Sequence, residues 1–239
     1  MRLYLIRHAQ SENNQLWELS KSSQGRNEDP AITALGRQQA GRLAKYLCDS
    51  RQETAPDWQN AGRTGFGITH LYSSLMLRAL QTASAISQTL GLPIIGRDDL
   101  FECGGIYLDD EESGERVGQP GRTLGQLGDQ FPDLILPAED LDRGWWNRPY
   151  ETREERLPRA RRVVQSLFDL HKETADIVAV VTHAAFCNAL LTVLLGLPDG
   201  HNHWFILNNT AITSMDIWPD GIGVNYTNRT DFLPPDLVS

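Results

Sequence analysis

The sequence predicts an α/β fold, a three-layer sandwich in which a mostly parallel central sheet is flanked by helices. Three observations predict it. Strand-like apolar runs alternate with helix-like periodicities along the chain. The run IleValAlaValVal at 177–181 is apolar throughout, so both faces of that strand must be covered, as in a parallel sheet between helices. Reactive polar side chains stand where several runs end, the place where open α/β sheets form their ligand crevice.

The elements follow in order. Residues 2–6 form the first strand, and ThrAlaLeuGly at 33–36 opens a helix. Its apolar positions Leu35, Ala40, Leu43, Ala44 and Leu47 recur at three- and four-residue steps, which lays them along a buried stripe. ThrHisLeuTyrSer at 69–73 is a second strand, followed by a helix over 77–90 that stops at Gly91. ProIleIle at 93–95 is a short strand. Thr152 and Glu155 form a capping box opening a helix that carries Leu157, Val163, Val164 and Leu167. After the 177–181 strand a helix runs from about 185 to 195 and stops at Gly196. Segments 203–207, 211–217 and 222–226 read as strands or hairpin arms, and 15–28 and 50–67 as loops. Residues 104–150, rich in Gly, Pro and acid, contain no long periodic helix. Such a stretch reads as a cap-like insertion over a site, within a single domain spanning 1–239.

Composition narrows the function. A hydrophobic fraction of 40% and a charged fraction of 22% describe a chain able to bury a sizeable core. A net charge of -9 argues against a nucleic-acid partner, for lack of a basic excess to neutralise phosphates. It leaves room for a small anionic substrate in a local arginine pocket. Cys48, Cys103 and Cys187 match neither a disulfide framework nor a zinc motif, which points to a reducing, cytoplasmic compartment. No signal peptide or membrane span is expected, and the Asn-x-Thr sequons at Asn208, Asn225 and Asn228 read as accidental. Oligomeric state is not legible.

Four strand ends carry the chemistry: Arg7-His8; Arg78, after the 69–73 strand; Glu102; and His183, after the 177–181 strand. Each alone has an ordinary structural reading: a hydrogen-bonded histidine, a surface ion pair, a capping acid. Their joint occurrence at equivalent places in the fold could gather two histidines, two arginines and a carboxyl around one cavity. Elsewhere the ordinary readings prevail. His201 and His203 lack a third metal ligand at a useful spacing, Asp109–Glu112 is a solvated acidic run, and Cys103 is a small buried thiol. Trp145-Trp146 either lines the apolar part of a substrate or packs beneath the insertion.

These residues resemble a known family. Arg7-His8-Ala9-Gln10-Ser11-Glu12-Asn13-Asn14, the stretch 29–40, TyrSerSerLeuMetLeuArgAlaLeuGlnThrAla at 72–83, Glu102 and ValThrHisAlaAla at 181–185 match, in order, the histidine phosphatase superfamily, also called phosphoglycerate mutase-like. Ala9 and Ala184 stand where the family has glycine, and Leu75 where it often has proline. A Cβ at 9 or 184 would clash if the backbone there needed positive φ or had to approach the phosphate closely.

The resemblance implies that His8 is the nucleophile and forms a phosphohistidine, and that Arg7, Asn14, Arg78 and His183 bind phosphate. Glu102 and His183 complete the catalytic set, with Glu102 as the proton donor to the leaving alcohol. It implies a small phosphorylated substrate, no cofactor and no metal. Two alternatives stay open. A phosphoglycerate mutase shares the site, although PheGluCysGlyGlyIleTyr here lacks the charged stretch the mutases carry around the acid. A catalytically inactive phosphate-binding scaffold rests on the two alanines.

Overall fold

The fold is described from a computed structural model over residues 1–49, 66–136 and 144–239. In chain order its strands are β1 (Arg2–Arg7), β2 (His70–Ser74), β3 (Ile94–Arg97), β4 (Tyr107–Asp109), β5 (Arg116–Gly118), β6 (Leu134–Ile135), β7 (Ile177–Thr182), β8 (Ile212–Trp218) and β9 (Gly221–Arg229). The helices are α1 (Glu12–Ser20), α2 (Ala34–Cys48), α3 (Leu77–Leu90), α4 (Leu124–Gln130), α5 (Arg153–His171) and α6 (Ala184–Leu194).

Seven strands form one mixed sheet in the order β6-β3-β2-β7-β1-β8-β9. The pairs β6/β3, β3/β2, β2/β7 and β7/β1 are parallel, while β8 and β9 join antiparallel. The fully apolar strand is β7, at the centre. Its Ile177, Ala179 and Val181 face a core shared with α2 and α3; Val178 and Val180 face the core under α5 and α6. Side-chain alternation along a strand thus fills both layers at once, so β7 has no polar face to show. The register pairs Arg7 with Thr182, so β1 and β7 end at the same level.

Three expectations need correction. Residues 12–20 form a helix rather than part of a loop. Ser11 caps it in a box with Asn14, and it buries no residue, so no apolar periodicity announces it. The 203–207 segment is not a strand, because the amide of Asn188 on α6 holds Phe205 by both backbone groups, leaving none for a ladder. The 104–150 segment is more than a cap: it lends β6 to the main sheet, besides the β4–β5 hairpin and the capped α4. Most of the expected 50–67 loop lies outside the described residues. No helix among the described residues is long and apolar enough to cross a membrane.

Candidate active site

The two histidines leave adjacent strand ends. The backbone N–H of His8 donates to Thr182 O (2.9 Å), extending the β1–β7 pairing by one residue. Its carbonyl accepts from Asn209 Nδ2 (2.9 Å) and Thr210 N (3.3 Å). The backbone at residue 8 is therefore tied from both sides. The ring centroids of His8 and His183 lie 5.0 Å apart, and both side chains are buried.

His8 Nδ1 sits 2.7 Å from Ala9 O. A carbonyl only accepts, so Nδ1 carries the ring proton and Nε2 keeps its lone pair. Arg78 Nε donates to that nitrogen over 3.2 Å. Burial, then the charges of Arg78 and Arg7, holds His8 well below the ordinary imidazole range, so the ring is neutral. His183 is also held low, by burial and then by Arg78 and His8. Its Nε2 lies 2.9 Å from Ser74 Oγ, while its buried Nδ1 has no partner.

The arginines come from β1 and the first turn of α3. Arg7 Nη1 donates to Leu207 O (2.6 Å), and its buried Nε is unpaired. Arg78 Nη1 lies 3.9 Å from Asp29 Oδ1, which also accepts from Leu77 N (2.9 Å) at the start of α3. Burial pulls both arginines down from the ordinary range, Glu102 opposing it at each, and guanidinium remains charged. Burial likewise raises Asp29.

Glu102 is held by the opening of α6: Oε1 accepts from Cys103 N (2.8 Å) and Phe186 N (3.1 Å), and Oε2 from Ala185 N (3.4 Å). The acid is thus fixed on the helix that His183 precedes. Asn14 is the least direct member. Its Oδ1 accepts from Ser11 N (3.1 Å), Ser11 Oγ (3.0 Å) and Asn209 Nδ2 (3.3 Å), which leaves its amide nitrogen as the donor to offer.

Three residues that matter here were not foreseen as site residues. Asn209 links His8 to Asn14; it was visible only as the middle of a sequon, whose Thr210 is fully buried. Asp29 opens the 29–40 stretch, where nothing local marks it as a partner of Arg78. Arg159 of α5 forms a buried double contact with Glu151 (2.6 and 2.8 Å) and donates to the carbonyls of Asp99 (2.8 Å) and Phe101 (3.0 Å). It thereby anchors the segment that carries Glu102, and nothing local in the sequence marks it.

The glycines and tryptophans beyond Glu102 also find their reason. Gly104 and Gly105 have φ of +98° and +81°, a turn that suits only glycine, and Trp146 fills the space a Cβ on Gly105 would need. Trp145 and Trp146 are buried in the core, so they pack beneath the insertion. Cys103 is half-buried rather than fully buried, and burial together with Glu102 pushes its thiol up to about 12, so it is protonated. Both ring nitrogens of His201 are engaged, by Thr192 Oγ1 (2.9 Å) and His203 N (3.0 Å).

A family model for the histidine phosphatase superfamily (branch 1) matches residues 3–230, and the chain belongs to that superfamily. Among curated relatives, a protein of Proteus mirabilis named probable phosphoglycerate mutase GpmB is 26% identical over 216 residues, covering 90% of this chain and 85% of the relative. Two solved structures share the fold. Phosphoserine phosphatase from Entamoeba histolytica, in complex with 3-phosphoglyceric acid, is 23% identical with a TM-score of 0.60, covering 98% of this chain and 99% of that one. A mycobacterial glucosyl-3-phosphoglycerate phosphatase is 20% identical with a TM-score of 0.58, covering 96% and 99%.

Proposed function

We propose that this protein is a metal-independent phosphatase that hydrolyses a small phosphorylated metabolite through a phosphohistidine on His8. One observation carries the reading: His8 is neutral, its Nδ1 is fixed on Ala9 O, and its Nε2 lone pair meets the Arg78 guanidinium beside His183. In the free protein Arg78 occupies that lone pair. A bound phosphate dianion draws the guanidinium onto its own oxygens, which frees Nε2 for attack at the moment the charge is neutralised.

The reaction then takes two displacements. His8 Nε2 forms a bond to phosphorus as the ester P–O bond breaks, and Glu102, entering as the acid, gives its proton to the leaving oxygen. Water next attacks phosphorus, loses a proton to the Glu102 carboxylate, and the P–N bond breaks to release phosphate. Arg7, Arg78 and the Asn14 amide hold the equatorial oxygens. His183 serves as a neutral donor: with the Ser74 hydroxyl given to Nε2, its proton sits on the unpaired Nδ1 and awaits a phosphate oxygen. This differs from a cationic His183, which burial opposes before ligand arrives.

Within a single domain of 1–239, the 104–150 segment acts as the specificity cap. Its Arg122 Nε lies 3.9 Å from Asp29 Oδ2, on the carboxylate that also faces Arg78. The mutase reading draws on the P. mirabilis relative, and rapid interconversion of 2- and 3-phosphoglycerate with bisphosphoglycerate present would establish it instead. The scaffold reading would need the Cβ of Ala9 or Ala184 to crowd the phosphate, since neither residue has positive φ. Tight phosphate binding without turnover across a panel of substrates would establish it.

The test is turnover of an aryl phosphate, with rapid quench of labelled substrate. The wild type should yield an acid-labile, base-stable phosphoprotein and stay active in EDTA. His8→Ala should yield neither label nor turnover; full activity in that variant ends the proposal.

A further inference from the structure

At the opposite ends of the strands from the proposed reaction lies a second cluster. His70 opens β2, His171 closes α5 and Asp176 precedes β7. The other end of β2 is Ser74, the residue touching His183, so roughly 13 Å of strand separates the two places. One ligating atom from each of His70, His171 and Asp176 can be chosen so that all lie within 4.8 Å of one another. We propose that these three side chains form a binding site for a zinc-class divalent cation, which would clamp the helix α5 to the amino-terminal ends of β2 and β7.

The donor set fits the ion. Two imidazoles and a carboxylate suit late first-row cations such as Zn2+, with water in the fourth position. A tetrahedral zinc sets its ligand atoms about 3.3 Å apart. Here His171 Nδ1 is 2.8 Å from Asp176 Oδ2 and His70 Nδ1 is 4.0 Å from Asp176 Oδ1, so the carboxylate faces one imidazole with each oxygen, and a set of one atom per residue lies within 4.8 Å. The two rings lie 4.6 Å apart between centroids.

The surroundings are also those of a ligand. Buried His171 places its other nitrogen, Nε2, 2.9 Å from the Tyr72 hydroxyl, the kind of outer contact that orients a metal-bound imidazole. Without the ion, the ring proton lies on Nδ1 and is shared with Asp176. With the ion on Nδ1, that proton moves to Nε2 and is donated to the Tyr72 oxygen, so the ring stays neutral. His70 Nδ1 gives up a 2.9 Å contact with Thr69 Oγ1. The side chains of His70 and Asp176 are 34% and 27% exposed, which leaves the ion a path from solvent. None of these residues takes part in the proposed reaction, and their separation in the chain hides them from any motif.

The full chain, stripped with chelator, is titrated with Zn2+ alone by calorimetry and with Co2+ alone by visible absorption. The expected result is one ion per chain, a cobalt spectrum of tetrahedral intensity, and a Tm rise of about 5 °C at saturation. His70→Gln and Asp176→Asn should each weaken binding by at least the roughly 10- to 100-fold that loss of an outer contact costs. Absence of saturable one-to-one binding in the wild type overturns the site. So does binding that both variants retain, or that His203→Gln or His8→Ala abolishes instead.

Discussion

His8 and His183 are the same residue type, 5.0 Å apart between ring centroids, yet their neighbours set their ring protons differently. A backbone carbonyl fixes the proton of His8 on Nδ1, whereas the Ser74 hydroxyl leaves His183 Nδ1 without a partner. Both are held well below the ordinary value of 6.5, chiefly by burial. The consequence for stability has a definite sign. Unfolding releases both rings to that ordinary value, so below about pH 6.5 the unfolded chain binds more protons than the folded one. Their contribution is fully present above that pH and is lost as pH falls towards the folded values. Urea midpoints should therefore drop between pH 7.5 and 5.5, and the drop should shrink in His8→Asn; equal drops would contradict the assignment. At this scale His8 and His183 were legible as candidates because each follows the last residue of a strand. Arg78 lies in the first turn of α3 and Glu102 lies beyond β3, and the hydrogen-bond partners of all four were not legible. Asn209 lies 201 residues from His8, and no spacing rule connects them.

Elements place these residues, and α5 does so from a distance. Arg159 lies between the rings of Phe101 and Phe186, 3.5 and 3.8 Å from their centroids, while paired to Glu151. It joins α5 to the Glu102 segment and to α6, the two pieces that fix the acid. Arg159→Met strands Glu151 as a buried, unpaired charge and should cost about 3 kcal/mol, read by denaturant unfolding. The double variant Arg159→Met/Glu151→Leu should recover much of it; no recovery would mean that the carbonyl contacts dominate. Strongly periodic elements were legible almost to the residue: α3 ends at Leu90, and Gly91 takes φ +67° as the stop required. The polar α1 was not, since a helix without a buried face leaves no stripe. Nor was β6, because two residues cannot show a period.

For the whole molecule, a net charge of -9 contrasts with two largely buried arginines, Arg7 and Arg78, beside His8, so the proposed anion would be bound by local geometry against the sign of the net charge. Inorganic phosphate at about one hundred times its Kd should stabilise the fold by about 2.7 kcal/mol, raising Tm by about 5 to 10 °C. Arg78→Ala should abolish that rise, whereas an equal rise in both proteins would place phosphate elsewhere.

The matched ends of β1 and β7 constrain how the chain can vary in length. His8 and His183 each follow a residue of one registered pair, Arg7 and Thr182, so the span between the rings is metered by ladder rungs. An indel inside 177–182 would turn His183 to the far side of the sheet. The same indel in the exposed bend between β4 and β5 would shift no rung. Drift in length is thus free in the β4–β5 bend and barred inside β7, so the proposed reaction centre would tolerate changes of length only outside the paired strands.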